Sequence, residues 1–411
     1  MNTPDIAVRR ALGACAALMV GALTLTACGG SATADNNNDG KGDKGSSKTS
    51  AAHIAISAKD GATNASINAT GVQVSDGKLT DVKMTSADSG KAVAGTMSAD
   101  GKSWKPQEKL ELGTKYSISA SAKDAEGLTS TAKSVFTTVS KSNSFVGNFN
   151  PDDGTTVGVG MPVSFRFNKN ITEKKAVKSH ITVTSSSGQE VVGRWLKSTQ
   201  GDRLDFRPEN YWKAGSKVTV KIALDGVEGA KGVYGVQSKT VTFNIGRSQV
   251  STVDVNTQTM TVVRDGRTLK SVPISAGSPE NLTYNGQMVI SEKHTQYHMS
   301  GRTVGFGKDS YDISDVPHAM RLTDSGTFVH GNYWYPKGNP PFGNRGTSHG
   351  CVGLQDVKGA QGDTNGKWFY DNSIIGDVVV VKNSPDKQVT PGNGYSGWNM
   401  PWSEWRADSS A

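Results

Sequence analysis

The strongest limit on what this chain can become is a repeat. Gly113-Thr114-Lys115-Tyr116-Ser117-Ile118 is answered 102 positions later by Gly215-Ser216-Lys217-Val218-Thr219-Val220, and Glu126-Gly127 by Glu228-Gly229 at the same offset. Trp104 and Pro106 fall near Leu204 and Pro208 at almost that offset. In the first copy, short alternating runs such as Ile54-Ala55-Ile56-Ser57, Gly71-Val72-Gln73-Val74 and Ser134-Val135-Phe136-Thr137-Thr138 are separated by Asp-Gly and Ser-Gly turns. A period of two buries one face of each strand, and regular short strands between turn signals favour an antiparallel sandwich. Two tandem copies of one β-sandwich are therefore expected, over 53–140 and 145–247. Neither copy shows an acid pair, metal cluster or nucleophile constellation, so both read as spacers or docking modules.

A third block, 248–383, opens with strand candidates at Val250–Val255, Thr259–Val263 and Leu269–Ile274. Asn256-Thr257-Gln258 and Asp265-Gly266-Arg267 supply the turns, the second with the strong Asp-Gly hairpin signal. Within this block only Val357 to Phe369 and its surroundings suit a short helix, and Gly359, Gly362 and Gly366 weaken it. With 48 glycines in 411 residues and aromatics at 7%, the composition also points to an all-β, turn-rich chain long enough for several cores.

The N-terminus reads as an export signal. Arg9-Arg10 precedes the apolar run Ala11–Thr26, too short for a convincing membrane span. Leu25-Thr26-Ala27-Cys28 has the form of a bacterial lipoprotein signal, so cleavage after 1–27 and a lipid on Cys28 are expected, anchoring the chain to a bilayer without spanning it. Residues 28–52, rich in Gly, Ser, Asn, Asp and Lys, bury too little apolar surface to order themselves and read as a tether. The net charge is +8; loss of Arg9, Arg10 and Asp5 with the leader leaves +7. For an exported chain the nearer partners of a basic surface are anionic envelope polymers and lipid headgroups. No basic cluster interleaved with aromatics appears, which sets nucleic acid aside.

Cysteine arithmetic isolates one residue. Cys15 leaves with the leader, Cys28 takes the lipid, and Cys351 has no partner. Such a thiol is either reactive or a buried small hydrophobe. Its setting, Thr347-Ser348-His349-Gly350-Cys351-Val352-Gly353-Leu354, favours a nucleophile, because a thiolate needs a base and backbone N–H groups to hold an oxyanion. Gly350 permits close approach of a substrate. A second histidine, His330 in Thr327-Phe328-Val329-His330-Gly331-Asn332, ends an apolar strand-like run and is a candidate base. His294 and His298 stand four apart, but no Glu follows the first and the flanks favour strand or loop, so a zinc site is not expected.

The segment from His330 to Leu354, centred on Ser348-His349-Gly350-Cys351, resembles the active-site signature of the L,D-transpeptidases, cysteine enzymes that cross-link bacterial peptidoglycan. Asn285–Ile290, Trp368-Phe369-Tyr370-Asp371 and Ile375–Val379 resemble other parts of that domain. The tail Trp398–Trp405, within 384–411, resembles the C-terminal extension of the mycobacterial type. The resemblance implies two immunoglobulin-like domains ahead of the catalytic one. It also implies a flap over Glu292–Thr323, with Met299 and Tyr311 over the acyl-donor site and Ser348 and Trp334 on the substrate-binding face. Cys351 would form a thioester with a tetrapeptide stem, and His330 would be the base, its ring held by the Gly331 carbonyl. Backbone groups of His349, Gly350 and Cys351 would hold the oxyanion, leaving the His349 ring structural and substrate-facing. The product would be a 3→3 cross-link made without cofactor or metal, by a carbapenem-sensitive enzyme on the outer face of the cytoplasmic membrane.

Three departures from the family pattern bear on specificity. Gly353 stands where asparagine or arginine is common, Gly331 replaces a serine, and the Asn332–Gly346 loop is long. Lys337, Arg345 and Arg321 are cations available near the motif. An L,D-carboxypeptidase using water as acceptor, and a lipid-anchored wall-binding protein with an inactive catalytic block, are the alternative readings. A papain-like protease is disfavoured, because there the cysteine precedes its histidine. Nothing in the residues speaks to oligomeric state.

Overall fold

The computed structural model describes residues 48–304, 311–336 and 338–407, the side chains of 303 and 304 excepted. The expected leader, the lipidation position Cys28 and Lys337 lie outside the described residues. Thr49–Ala411 forms one compact unit.

The first block packs the sheet His53–Ile56, Val72–Ser75, Ser103–Pro106, Gly95–Met97 against the three strands Lys78–Ser86, Lys115–Lys123 and Thr129–Thr137. Lys115–Lys123 alternates buried and accessible positions, as period two requires, and sends Tyr116, Ile118, Ala120 and Ala122 into the core. The second block repeats this with Lys217–Ala223, offset by 102, which buries Val218, Val220 and Ile222 in a separate core. The Glu-Gly match does not mark equivalent places. Glu126-Gly127 lies in the connection between two strands, whereas Glu228–Ala230 is itself a strand, paired with Val233–Gly235 in a hairpin inserted only in the second block. Gly229 there packs against Phe145; a Cβ would come within 2.5 Å of that ring.

The third block is a nine-stranded sheet in the order Gly286–Val289, Val378–Lys382, Gln249–Asp254, Thr259–Arg264, Arg267–Ser275, Val352–Gln355, Phe328–Asn332, Asp312–Arg321, Glu292–Ser300. The predicted hairpin forms at Asp265-Gly266, with φ of 48° and 78°, the two positive values a type I′ turn requires. Most pairs are antiparallel, but Gln249–Asp254 runs parallel to Val378–Lys382, and Phe328–Asn332 runs parallel to Val352–Gln355. The expected flap segment contributes a hairpin of Glu292–Ser300 with Asp312–Arg321. The helix allowed for near Val357–Phe369 forms at Asn365–Asp371, its N-terminus capped by the Thr364 side chain, which accepts from Lys367 N. Among the described residues two further α-helices, Lys174–Ser179 and Trp402–Arg406, are too short for a sequence period to reveal.

Candidate active site

The parallel pairing of Phe328–Asn332 with Val352–Gln355 creates the site. Its register sets Val329 opposite Val352 and His330 opposite Gly353. Carried back one residue, Cys351 falls beside Phe328, two positions before His330 along the same strand. Side chains alternate faces, so Cys351 and His330 emerge together on one face while Val329, Val352 and Leu354 enter the main core on the other. The residues expected at the site, Met299, Tyr311, His330, Trp334, Ser348, His349 and Cys351, line one cavity of about 220 Å³. Sequence reasoning missed Ile313, Val316, Asn332 and Thr347, which complete the lining. They come from strand and loop positions with no chemical signature of their own.

The two histidines differ in kind. His330 is buried, and its Nδ1 donates to the Gly331 carbonyl at 2.7 Å, leaving Nε2 as the lone-pair nitrogen. Burial holds its pKa below the usual 6.5, against the raising effects of the Gly331 bond and of Asp356. Trp334 stacks on it at 5.7 Å. His349 is exposed, its ring 4.9 Å from that of Tyr311. Cys351 is a free, buried thiol whose Sγ donates to Gly326 O at 3.6 Å. Burial pushes its pKa up to about 11, opposed by a backbone hydrogen bond at Phe328 and by Arg321. Burial likewise pushes Tyr311 up to about 12, with the neighbouring Cys351 adding to it. The resting pair is a neutral thiol and a neutral imidazole, which suits general-base activation of the sulfur at the moment of attack.

The motif loop is stitched to the sheet. Thr347 N and Ser348 N donate to Ala276 O, and Ser348 Oγ donates to Cys351 O at 2.6 Å, so this serine braces the turn as well as lining the cavity. Gly350 has φ 101°, a conformation that disfavours any side chain. Beside Gly353 the Asn332 side chain comes within 3.7 Å of where a Cβ would sit. Gly331 has no room for a serine, because a Cβ there would stand 2.1 Å from Asp356 Oδ2. Asp356, which sequence reasoning passed over, is buried and accepts from His318 Nδ1 at 2.7 Å.

A second, polar cavity of about 310 Å³ adjoins the first and shares Met299 and Tyr311 with it. Its walls include Glu292, His298, Arg321, Asp324, Gly326 and, from the second sandwich, Gln200. Arg321 thus lines the cavity next to the site, whereas Arg345 is exposed and bonds to Asn339. His294 and His298 do not converge; they pair with Glu292 at 3.1 Å and Asp312 at 2.5 Å.

Comparison with known proteins agrees with this architecture. Residues 248–381 match the L,D-transpeptidase catalytic domain, and 62–228 match a bacterial Ig domain, a single match that spans both sandwich blocks. L,D-transpeptidase 2 of Mycobacterium tuberculosis is 32% identical over 357 residues, covering 86% of this chain and 84% of the relative. L,D-transpeptidase 5 of the same species is 31% identical over 338 residues, covering 81% and 71%. A solved L,D-transpeptidase structure in complex with imipenem is 27% identical and covers 57% of this chain and 97% of that one, with a TM-score of 0.48. An Ig-like region followed by this catalytic fold defines an enzyme of the acyltransferase class. The chain belongs to the L,D-transpeptidase family.

Proposed function

We propose that this enzyme forms 3→3 cross-links between peptidoglycan stem peptides through a thioester on Cys351. The observation that carries the reading is a free thiol and a buried histidine of fixed tautomer in one cavity. In the first half-reaction Cys351 Sγ attacks the carbonyl of the third residue of a tetrapeptide stem while His330 Nε2 takes the thiol proton. Backbone N–H groups of His349, Gly350 and Cys351 hold the oxyanion, each donor contributing about 3 kcal/mol. His330 then returns the proton to the leaving D-alanine nitrogen, and the thioester remains. In the second, a side-chain amine of diaminopimelate on another stem attacks the thioester, loses its proton to His330, and expels the sulfur, which is reprotonated. Met299, Tyr311, Ser348 and Trp334 border the donor, and the exposed His349 ring faces it.

Water in place of the amine would make the enzyme a carboxypeptidase. Mass spectrometry of products from a disaccharide-tetrapeptide separates the two. Dimers lacking one D-alanine are expected, and tripeptide alone would reverse the assignment. We further propose that Cys28 carries a lipid and holds the enzyme on the outer face of the cytoplasmic membrane. Cys28→Ala is expected to move the protein from the membrane fraction to the soluble one, and unchanged fractionation would remove the anchor from the account.

A further inference from the structure

We propose that Asp356 is a positioning residue for His330, a buried carboxylate that supports the imidazole through the Gly331 peptide unit. The inference rests on His330 acting as the base. Asp356 lies one residue beyond the Val352–Gln355 strand, the parallel neighbour of the His330 strand, and its N–H donates to Asn332 O at 3.1 Å. Its side chain turns back across Gly331. A Cβ on Gly331 or on Gly366 would each meet Asp356 Oδ2 at 2.1 Å, so the carboxylate occupies a slot that two glycines leave open. Gly331 is also the residue whose carbonyl receives the His330 Nδ1 proton. The acid therefore bears on the peptide unit that orients the base.

The carboxylate is held at both oxygens. Oδ2 accepts from His318 Nδ1 at 2.7 Å, and Oδ1 accepts from Val357 N at 2.8 Å and Thr364 Oγ1 at 2.9 Å. Its side chain is 0% exposed and that of His318 is 3%. Burying a carboxylate is costly even when it is well bonded, and apolar residues of similar volume commonly serve stability as well. The reaction supplies a reason for the charge. As Cys351 attacks, a fully buried imidazole becomes an imidazolium, which requires a nearby anion. The titratable groups across the cavity are Cys351, His349 and Tyr311, and Arg321 on the next strand is a cation. Asp356, bonded to His318, is the carboxylate that lies against Gly331, and its field favours the protonated form of His330.

The test is the pH dependence of imipenem acylation of the Thr49–Ala411 chain, followed by intact mass, in wild type and Asp356→Asn. Acylation rises with pH as His330 loses its proton. Without the anion, His330 deprotonates at lower pH and is a weaker base. The acid limb is expected to move down by about half a pH unit or more, and the plateau rate to fall roughly 10-fold or more. Asp356→Ser, smaller and also neutral, carries the test if the amide does not fold. A lower plateau with an unmoved limb would mark Asp356 as structural and overturn the proposal. Titration of the His330 ring nitrogens by NMR requires no turnover and is expected to shift the same way. If wild type forms no adduct, the acyl-transfer reading fails, while the NMR titration still decides the role of Asp356.

Discussion

Burial favours the neutral forms of both Cys351 and His330, and this ties the pair proposed to react to the pH dependence of stability. The thiol pKa rises from 9.0 to about 11 on folding. Its contribution, about 2–3 kcal/mol, is present below pH 9 and lost as pH rises toward 11. The His330 pKa is lowered on folding, so its contribution is present above 6.5 and lost as pH falls below that value. Denaturant unfolding across pH is expected to show both declines, and Cys351→Ser is expected to flatten the alkaline one; an unchanged alkaline decline in that variant would assign it to other groups. Both members of the pair were legible in the sequence, because a lone thiol beside His349 and Gly350 and a histidine closing an apolar run are local signals. Asp356 was not. Its approach to Gly331 depends on the parallel register of two strands and on Gly366 within a later helix, and no local pattern encodes that.

At the scale of elements, the C-terminal extension joins the second sandwich to the catalytic sheet. Trp398 Nε1 donates to Gly160 O at 2.8 Å, and Trp405 Nε1 to Val192 O at 2.9 Å. Asn399 Oδ1 accepts from Gln287 N at 2.8 Å. The buried Arg207 guanidinium lies 5.0, 5.3 and 4.2 Å from the rings of Trp398, Trp402 and Trp405 and donates to Met400 O at 2.8 Å. Burial brings its pKa down to about 10, a sign of how dry this seam is. Trp405, 1% exposed, fills the space between the short helix and the Val191–Ser198 strand. Trp405→Ala is expected to cost about 3–5 kcal/mol by denaturant unfolding and to expose the tail to limited proteolysis. A loss below about 1 kcal/mol would mean that the extension is not part of the cooperative unit. The aromatic tail could be read as an extension, but its docking surface could not, since the Arg207 that receives it sits in a strand pattern like any other.

Across the whole molecule the three cores are joined directly. Ser66 and Asn68 of the first sandwich bond to Asp225 of the second. Gly158 N and Gly160 N donate to Ile375 O and Gly376 O of the catalytic block, both at 2.8 Å, and Arg247 bridges to Asp377 at 2.8 Å. Val378 of the catalytic sheet lies within the core of the second sandwich. The repeat at offset 102 made the sandwich pattern legible, but this fusion was not, because the contacts come from scattered loop glycines, one arginine, a few polar side chains and a strand valine, none with a local signature. These contacts tie the sheet that carries the cavity at Cys351 to the second sandwich, and the second sandwich to the first. The central claim is that this cavity is an acyl-transfer site, and the most direct measurement is intact mass after brief exposure of wild type, Cys351→Ala and His330→Ala to a carbapenem. A single stable adduct is predicted on wild type, none on Cys351→Ala, and acylation slowed by about 10²–10⁴-fold in His330→Ala. A folded wild-type protein that takes no adduct, or an adduct that persists in Cys351→Ala, would contradict the account.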